Sequence, residues 1–135
     1  MNNDLISEAN LTIDYLKEII GGIGMETRVD DEGCLFVDNE TTILVYPDED
    51  GETVELITVY NFKAATTELE RLRAANRINE QIGVIRATAD KDYCLVIGWN
   101  IPVQGGISIP TFVYALETFF ALQPLILEEV QVLLE

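Results

Sequence analysis

The chain has 135 residues, of which 24 are acidic, 8 are basic and none is histidine, so its formal net charge is −16. A surface this acidic repels nucleic-acid phosphates and anionic lipids and attracts basic peptide segments, so neither nucleic acid nor membrane is an expected partner. Without histidine the chain lacks the usual general base and the commonest metal ligand. A hydrophobic content of 48% predicts a folded protein, and the length predicts one domain over 1–135.

The first part of the chain carries a helical pattern of apolar residues, which predicts a helix over about 4–20. Asn2 or Asn3 would cap its start, and Gly21-Gly22 would end it. The residues that recur at helical spacing are Ile6, Ala9, Ile13, Leu16 and Ile20.

Four strand-like runs follow, at 25–29, which is short and ambiguous, and at 34–37, 41–46 and 53–62. The short acidic turns between them predict an antiparallel meander. One of these turns, beginning at Asp48, superficially resembles a calcium loop. Positions six and twelve of that loop would be Thr53 and Val59, however, so a solvated hairpin turn is expected instead.

A second helix is predicted from Thr67 to about Gln81, because Thr67 and Glu70 fit the capping-box pattern. A hairpin of strands at 84–88 and 93–101 follows.

Gly105-Gly106 then forms a loop and Ser108 caps a last helix, in which Pro124 should cause a kink or break. The order α-β-β-β(-β)-α-β-β-α predicts an α+β fold, with an antiparallel sheet and helices mainly on one face.

The two longest strands look apolar on both faces, whereas a half-exposed antiparallel strand should alternate cleanly. The C-terminal helix, a second subunit or a bound segment must therefore cover part of the second face. The first face carries Val54, Leu56, Tyr60, Phe62, Tyr93, Leu95, Ile97 and Trp99, and the second carries Ile57, Val59, Cys94 and Val96.

The sequence shows no nucleophile–base pair, phosphate loop or metal-ligand spacing, so we expect no enzyme activity, no cofactor and no metal. Cys34 and Cys94 are interpreted as two buried free thiols in a reducing cytoplasm, with a single disulfide as the alternative. No signal-peptide pattern is present, and the last apolar stretch falls short of transmembrane length. It is interrupted by Glu117, Gln123, Pro124, Glu128 and Glu129.

Helix two and the last long strand supply a candidate surface for self-association or partner binding, formed by Leu69, Leu72, Asn76, Asn79 and Trp99. Asn76 and Asn79 share one side of the helix with the two leucines. Asn is a poor interior helix residue, so capping of nearby backbone is preferred over a polar pair that fixes the helix against the sheet or a second subunit. Trp99 is expected in the core and not in an aromatic binding platform.

The second half of the chain also carries a series of short motifs in a fixed order. They are Ala-Asn-Arg-Ile-Asn at 75–79, Ile-Gly-Val-Ile at 82–85, Asp-Lys-Asp at 90–92, the strand 93–101, Gly-Gly-Ile-Ser at 105–108 and Leu-Glu-Thr-Phe-Phe at 116–120. This series resembles the YbjN-like family, whose members are described as proposed bacterial regulators of sensory transduction.

The resemblance implies a fold similar to that of type III secretion chaperones, which are small acidic homodimers that bind an extended segment of a client protein. It therefore implies a cytoplasmic, homodimeric, non-enzymatic protein-binding or chaperone-like regulator with a protein or basic peptide as its partner. A small-ligand sensor with a pocket between sheet and helices is the alternative. The chain departs from the chaperone pattern in having four strands before helix two instead of three.

Overall fold

The computed structural model describes residues 5–135. Its helices are α1 (Ile13–Gly22), α2 (Glu68–Gln81) and α3 (Ile109–Val130), and α3 is followed by a 3-10 turn at Gln131–Leu133. Its strands are β1 (Leu5–Ile6), β2 (Glu26–Val29), β3 (Leu35–Asp38), β4 (Thr42–Pro47), β5 (Thr53–Asn61), β6 (Arg86–Ala89), β7 (Cys94–Pro102) and β8 (Ile107–Ser108). Six strands form one sheet in the order β2-β3-β4-β5-β7-β6, and β1 pairs with β8 in a second, two-stranded sheet.

This architecture confirms the predicted α+β fold with a mainly antiparallel sheet. The pairs β2–β3, β3–β4 and β6–β7 are all antiparallel. The ambiguous run at 25–29 is a real strand, because β2 pairs with β3 from Glu26 opposite Asp38 to Val29 opposite Leu35. β2 lies at the edge of the sheet. It is the strand by which the chain exceeds the chaperone pattern, and it extends the sheet at its margin.

The first helix is shorter than predicted. It begins at Ile13, and Thr12 caps it by accepting a hydrogen bond from the backbone N–H of Tyr15. Leu5–Ile6 forms β1 instead, and Ser7 and Asn10 then make a turn in which the Asn10 side chain accepts from the Ser7 N–H at 2.9 Å. Such side-chain bonds to backbone compete with helix formation. The predicted caps at Asn2 and Asn3 lie outside the described residues.

α3 passes through Pro124 without a break. Proline removes one helical hydrogen bond and crowds the preceding turn. Buried side chains on both sides of it, Gln123, Ile126 and Val130, keep this part of the helix packed. Packing therefore overrides the local preference for a break.

Residues Ile109–Leu133 are long and apolar enough to cross a membrane by length and composition, contrary to the expectation that no run reaches that length. Fully buried side chains, among them Phe112, Leu116 and Phe119, account for part of this apolar character. A core helix of a globular protein meets the same criterion, so the stretch is weak evidence for a membrane span.

The chain divides into two compact units. Unit 1 comprises Met1–Leu56 and Asn100–Phe120, and unit 2 comprises Ile57–Trp99 and Ala121–Glu135. Within unit 1, α1 contacts β2 and β3, and alternate residues of β3 and β4 are buried, as expected for a sheet covered on one face.

Within unit 2, α2 contacts β6. The predicted capping box is confirmed, because Thr67 Oγ1 accepts from the Glu70 N–H while the Glu70 carboxylate accepts from the Thr67 N–H. The helix packs through Arg71, Ala74, Ala75 and Ile78, which are all buried.

Candidate functional site

Two hairpin turns of the chain have the same construction. In the β2–β3 turn and in the β6–β7 turn, an aspartate side chain, Asp30 or Asp90, accepts hydrogen bonds from the backbone N–H groups two and four residues later, at 2.8–3.0 Å. The residue three positions after each aspartate has a positive φ, +85° at Gly33 and +64° at Tyr93. Tyrosine therefore occupies a left-handed position that glycine fills in the equivalent turn.

Tyr93 is the one non-glycine residue with a positive φ in the described range 5–135. The left-handed conformation costs an L residue with a side chain roughly 1–2 kcal/mol. The Tyr93 ring lies under the guanidinium of Arg71, with the Cζ atom 3.9 Å from the ring centroid. Strain of this kind tends to persist at sites that bind or switch.

Arg71 is an unusual buried residue in the first turns of α2, with 8% of its surface exposed. Its Nη1 donates to the carbonyl oxygen of Thr66 at 2.6 Å and to Thr66 Oγ1 at 3.2 Å. Arg71 and Tyr93 line a cleft of about 410 Å³ together with Glu68, Leu72, Ala89, Asp90 and Lys91. We call this the α2 cleft.

A second cleft, of about 480 Å³, lies near the C-terminal end of unit 2. Here the C-terminal segment pairs with the chain at the end of β5: Leu134 lies opposite Phe62, and Lys63 N–H donates to the Leu133 carbonyl at 2.8 Å. The residues that line this C-terminal cleft are Tyr60, Asn61, Pro124, Leu127, Glu128, Gln131, Leu134 and Glu135.

A buried polar cluster joins β5 to α3 within unit 2. Gln123 is only 2% exposed, and its Oε1 accepts hydrogen bonds from Thr58 Oγ1 at 3.0 Å and from the Tyr60 hydroxyl at 2.6 Å. Buried polar side chains are normally satisfied in this way. The cluster fixes where α3 sits on the strand.

The predicted surface residues of α2 differ in their surroundings: three face solvent and one is hydrogen-bonded to the sheet. Leu69 and Leu72 are 54% and 45% exposed, and Asn76 is exposed on the same side. Asn79 instead bridges to β6: its Nδ2 donates to the Ala87 carbonyl at 3.0 Å and its Oδ1 accepts from the Ala87 N–H at 2.7 Å. For Asn79 the preferred interpretation as a helix-end cap is wrong, because it fixes the helix against the sheet.

Trp99 lies on β7 and is half-buried, so the core position expected for it is only partly reached. The second sheet face stays partly open in unit 2. Ile57 and Val96 are half-buried there, and Val59 is 54% exposed, on the adjacent strands β5 and β7.

Both cysteines are free thiols, and both are half-buried instead of buried. Desolvation raises the pKa of the Cys34 thiol, and the charges of Asp30 and Glu32 raise it further. The donor atoms of these three residues lie within 4.8 Å of one another and could hold a metal ion. A thiol that keeps its proton is a poor ligand, however, and Asp30 already serves the turn described above.

The carboxyl group of Asp38 is the one with a clearly displaced pKa among residues 5–135. A hydrogen bond from Thr42 Oγ1 at 2.8 Å lowers the pKa most, followed by one from Arg28 Nε at 2.8 Å. Asp38 and Arg28 lie on neighbouring strands at the surface, so this arrangement stabilises the β2–β3–β4 edge.

The sequence patterns did not identify Arg71, Tyr93 and Gln123 as candidate site residues. A signal for Tyr93 was present: the segments Asp-Asp-Glu-Gly-Cys at 30–34 and Asp-Lys-Asp-Tyr-Cys at 90–94 align without gaps, and the alignment places tyrosine where its counterpart has glycine.

Comparison with known proteins shows the fold. No protein-family model matches the chain, and no curated protein matches its sequence. Among solved structures, the chain is similar to YbjN from E. coli, a proposed transcription regulator, with a TM-score of 0.79 at 14% identity over 92% of this chain and 95% of that one. It is also similar to the Yersinia pestis type III secretion chaperone SycH, whose structure includes a stable fragment of YscM2, with a TM-score of 0.52 at 17% identity over 82% and 95%. The predicted resemblance in fold to YbjN and to secretion chaperones is therefore confirmed.

Proposed function

We propose that this protein is a non-enzymatic regulator that binds an extended segment of another protein in a chaperone-like way, as one YbjN-like domain in the bacterial cytoplasm. The observation that carries the proposal is the partly open apolar face of unit 2, formed by Ile57, Val59 and Val96. Apolar patches that remain open on a folded protein commonly bind other proteins. The SycH chaperone, which has a similar fold, was crystallised with a protein fragment, and this supports a protein partner here.

The charge of the chain favours a basic partner. A net charge of −16 attracts cationic segments at low salt and repels nucleic acids. An extended segment can also add to a sheet edge through backbone hydrogen bonds, and β2 and β6 are the two edges of the six-stranded sheet. We therefore expect a client segment that combines apolar and basic residues, in a pathway of sensory transduction.

A second copy of the chain is the partner expected to cover part of the exposed apolar surface. A stable two-fold interface buries on the order of 800 Å² per subunit. The first candidate interface is the exposed stripe of α2, with Leu69, Leu72 and Asn76. The second is the β5–β7 face around Val59.

Sedimentation equilibrium at micromolar concentration tests the homodimer. We expect twice the monomer mass of 15.1 kDa for the natural chain and dissociation without unfolding for Leu72→Glu. The matched control is Val132→Glu, which places the same charge at a residue that is already 79% exposed. A dimer that persists in Leu72→Glu but not in Val59→Glu moves the interface to the β5–β7 face, and a 15.1 kDa monomer for the natural chain contradicts self-association.

Affinity capture from the native host with the same variants tests client binding. Proteins retained by the natural chain and by Val132→Glu, but lost from Val59→Glu, would be clients of the β5–β7 face. We expect their bound segments to be basic and apolar. The proposal fails if all three proteins retain the same set, because an apolar face cannot then be responsible.

The C-terminal cleft supports the alternative function of a small-ligand sensor. It lies between β5 and α3, and its volume of about 480 Å³ is within the range of small-molecule sites. Asn61, Glu128 and Gln131 supply polar groups. Native mass spectrometry distinguishes the two functions, because a small molecule that copurifies at one equivalent and is lost from a Leu127→Trp variant favours the sensor.

A further inference from the structure

The guanidinium of Arg71, a residue only 8% exposed, lines the α2 cleft. Arg71 forms no ion pair with any residue of the described range 5–135. Burying a charge is unfavourable unless it is paired, so a buried guanidinium without a carboxylate is unusual in a protein with 24 acidic residues.

The guanidinium has unused donors. Its Nη1 bonds Thr66 and its face stacks on Tyr93, but Nε and Nη2 have no acceptor in the described chain. No buried side-chain nitrogen or oxygen in that range is left without a hydrogen-bond partner, so these two atoms must reach the solvent of the cleft that Arg71 lines. Nε and Nη2 form the edge of a guanidinium that binds a planar carboxylate with two parallel hydrogen bonds.

The other walls of the cleft restrict the ligand. Tyr93 has a left-handed backbone conformation, and the equivalent residue of the β2–β3 turn is Gly33. Placing the tyrosine ring in the cleft therefore costs conformational free energy. Leu72 adds an exposed apolar side chain. The negative charges of Glu68 and Asp90 oppose the positive charges of Arg71 and Lys91 in the cleft. They repel a ligand with one negative charge less than they repel a doubly charged phosphate.

The surrounding sequence supports an anion at this place. Six of the eight basic residues fall within 63–91, against four of the 24 acidic residues. The segment that supplies most of the residues of the cleft is therefore basic on balance within an acidic chain.

We propose that the α2 cleft binds a carboxylate carried on an apolar body. The two carboxylate oxygens accept from Nε and Nη2 of Arg71, Lys91 contributes a second positive charge, and the apolar body packs on Leu72 and the Tyr93 ring. The site is separate from the β5–β7 face and does not depend on client binding there, but it shares Leu72 with the α2 stripe that is the first candidate dimer interface.

The test is an NMR titration of the intact chain with N-acetyl-leucine and, as a matched neutral probe, N-acetyl-leucinamide. We expect saturable shifts of the Arg71 Nε–H and Tyr93 amide signals with the acid and none with the amide. Titration with 4-methylpentanoate separates two sources of the ligand: equal binding indicates a free carboxylic acid, and binding of N-acetyl-leucine alone indicates the C-terminus of a peptide. Equal shifts with the amide, or tighter binding of inorganic phosphate, would overturn the proposal.

Variants separate binding from folding. Arg71→Gln should abolish the shifts, and since removing a buried arginine can unfold the chain, two exposed residues supply independent evidence. Lys91→Gln should weaken binding several-fold and Glu68→Gln should strengthen it, whereas no change in either variant contradicts the site. Tyr93→Gly should be at least as stable as Tyr93→Ala, because glycine relieves the strained φ, and should still bind the acid more weakly than the natural chain.

Discussion

The Gln123 cluster offers a sharp test of how α3 is held. Thr58 is 1% exposed and its hydroxyl donates to Gln123 Oε1. Replacing Gln123 by leucine keeps a side chain of similar size but leaves that hydroxyl without an acceptor, which costs about 1–3 kcal/mol. In a chain of this length we expect the midpoint of thermal unfolding to fall by roughly 3–5 °C per kcal/mol.

A double-mutant cycle shows whether the cost comes from the unpaired hydroxyl. Thr58→Val alone should cost about 0.5–1.5 kcal/mol, because the Tyr60 hydroxyl still donates to Gln123. In the Gln123→Leu background the same change should be neutral or stabilising, because it removes the orphaned group.

Urea unfolding followed by the fluorescence of Trp99, the one tryptophan, measures all four proteins, and the exposed Gln104→Leu is the matched control. The reasoning is refuted if the loss of unfolding free energy in the double mutant equals the sum of the two single losses within about 0.5 kcal/mol. Such additivity is typical of distant, independent sites.

Three further predictions rest on single residues. Asn79→Ala should lower the free energy of unfolding by about 1–2 kcal/mol because two hydrogen bonds to β6 are lost, whereas the exposed Asn76→Ala should change it little. In an NMR titration the pKa of Asp38 should lie below its ordinary value of 3.8, so its stabilising contribution is complete above that pH and is lost as the pH falls through the folded-state pKa; Thr42→Val should raise that pKa and flatten this acid loss. Alkylation of Cys94 by iodoacetamide should reach half its maximal rate above pH 9.0, because desolvation raises the thiol pKa, and a midpoint below that value would contradict the burial.

Local patterns determined much of the fold. The capping box at Thr67 and Glu70 correctly predicted the start of α2, and the short turns correctly predicted antiparallel pairing of successive strands. These signals rest on neighbours within four residues, which sequence reasoning reads well. The pairing of Leu5 with Ser108 joins distant parts of the chain, and so the periodicity that includes Ile6 suggested a helix where the structure has a strand.

The candidate site was harder to predict, because α2 offers two stripes at helical spacing. Leu69 and Leu72 form the more apolar stripe, yet the helix packs through Arg71, Ala74 and Ile78. The burial of Arg71 depends on the Tyr93 ring, on which the guanidinium stacks. Tyr93 belongs to a turn about twenty residues further along the chain. No rule based on helical periodicity alone indicates that an arginine will be buried.

Unit 1 has a consequence for the order in which the chain folds on the ribosome. Its second stretch, Asn100–Phe120, supplies β8 as the partner of β1 and donates two hydrogen bonds to the Glu52 carbonyl from Val103 and Gln104. At a synthesis rate of about 5–20 residues per second, the first stretch waits roughly 3–13 s for these partners. During that time its hairpins expose apolar side chains that are later buried, and strand edges that can pair with other nascent chains. The fifteen acidic residues against two basic ones in 1–56 give neighbouring nascent chains a strong mutual repulsion throughout this interval.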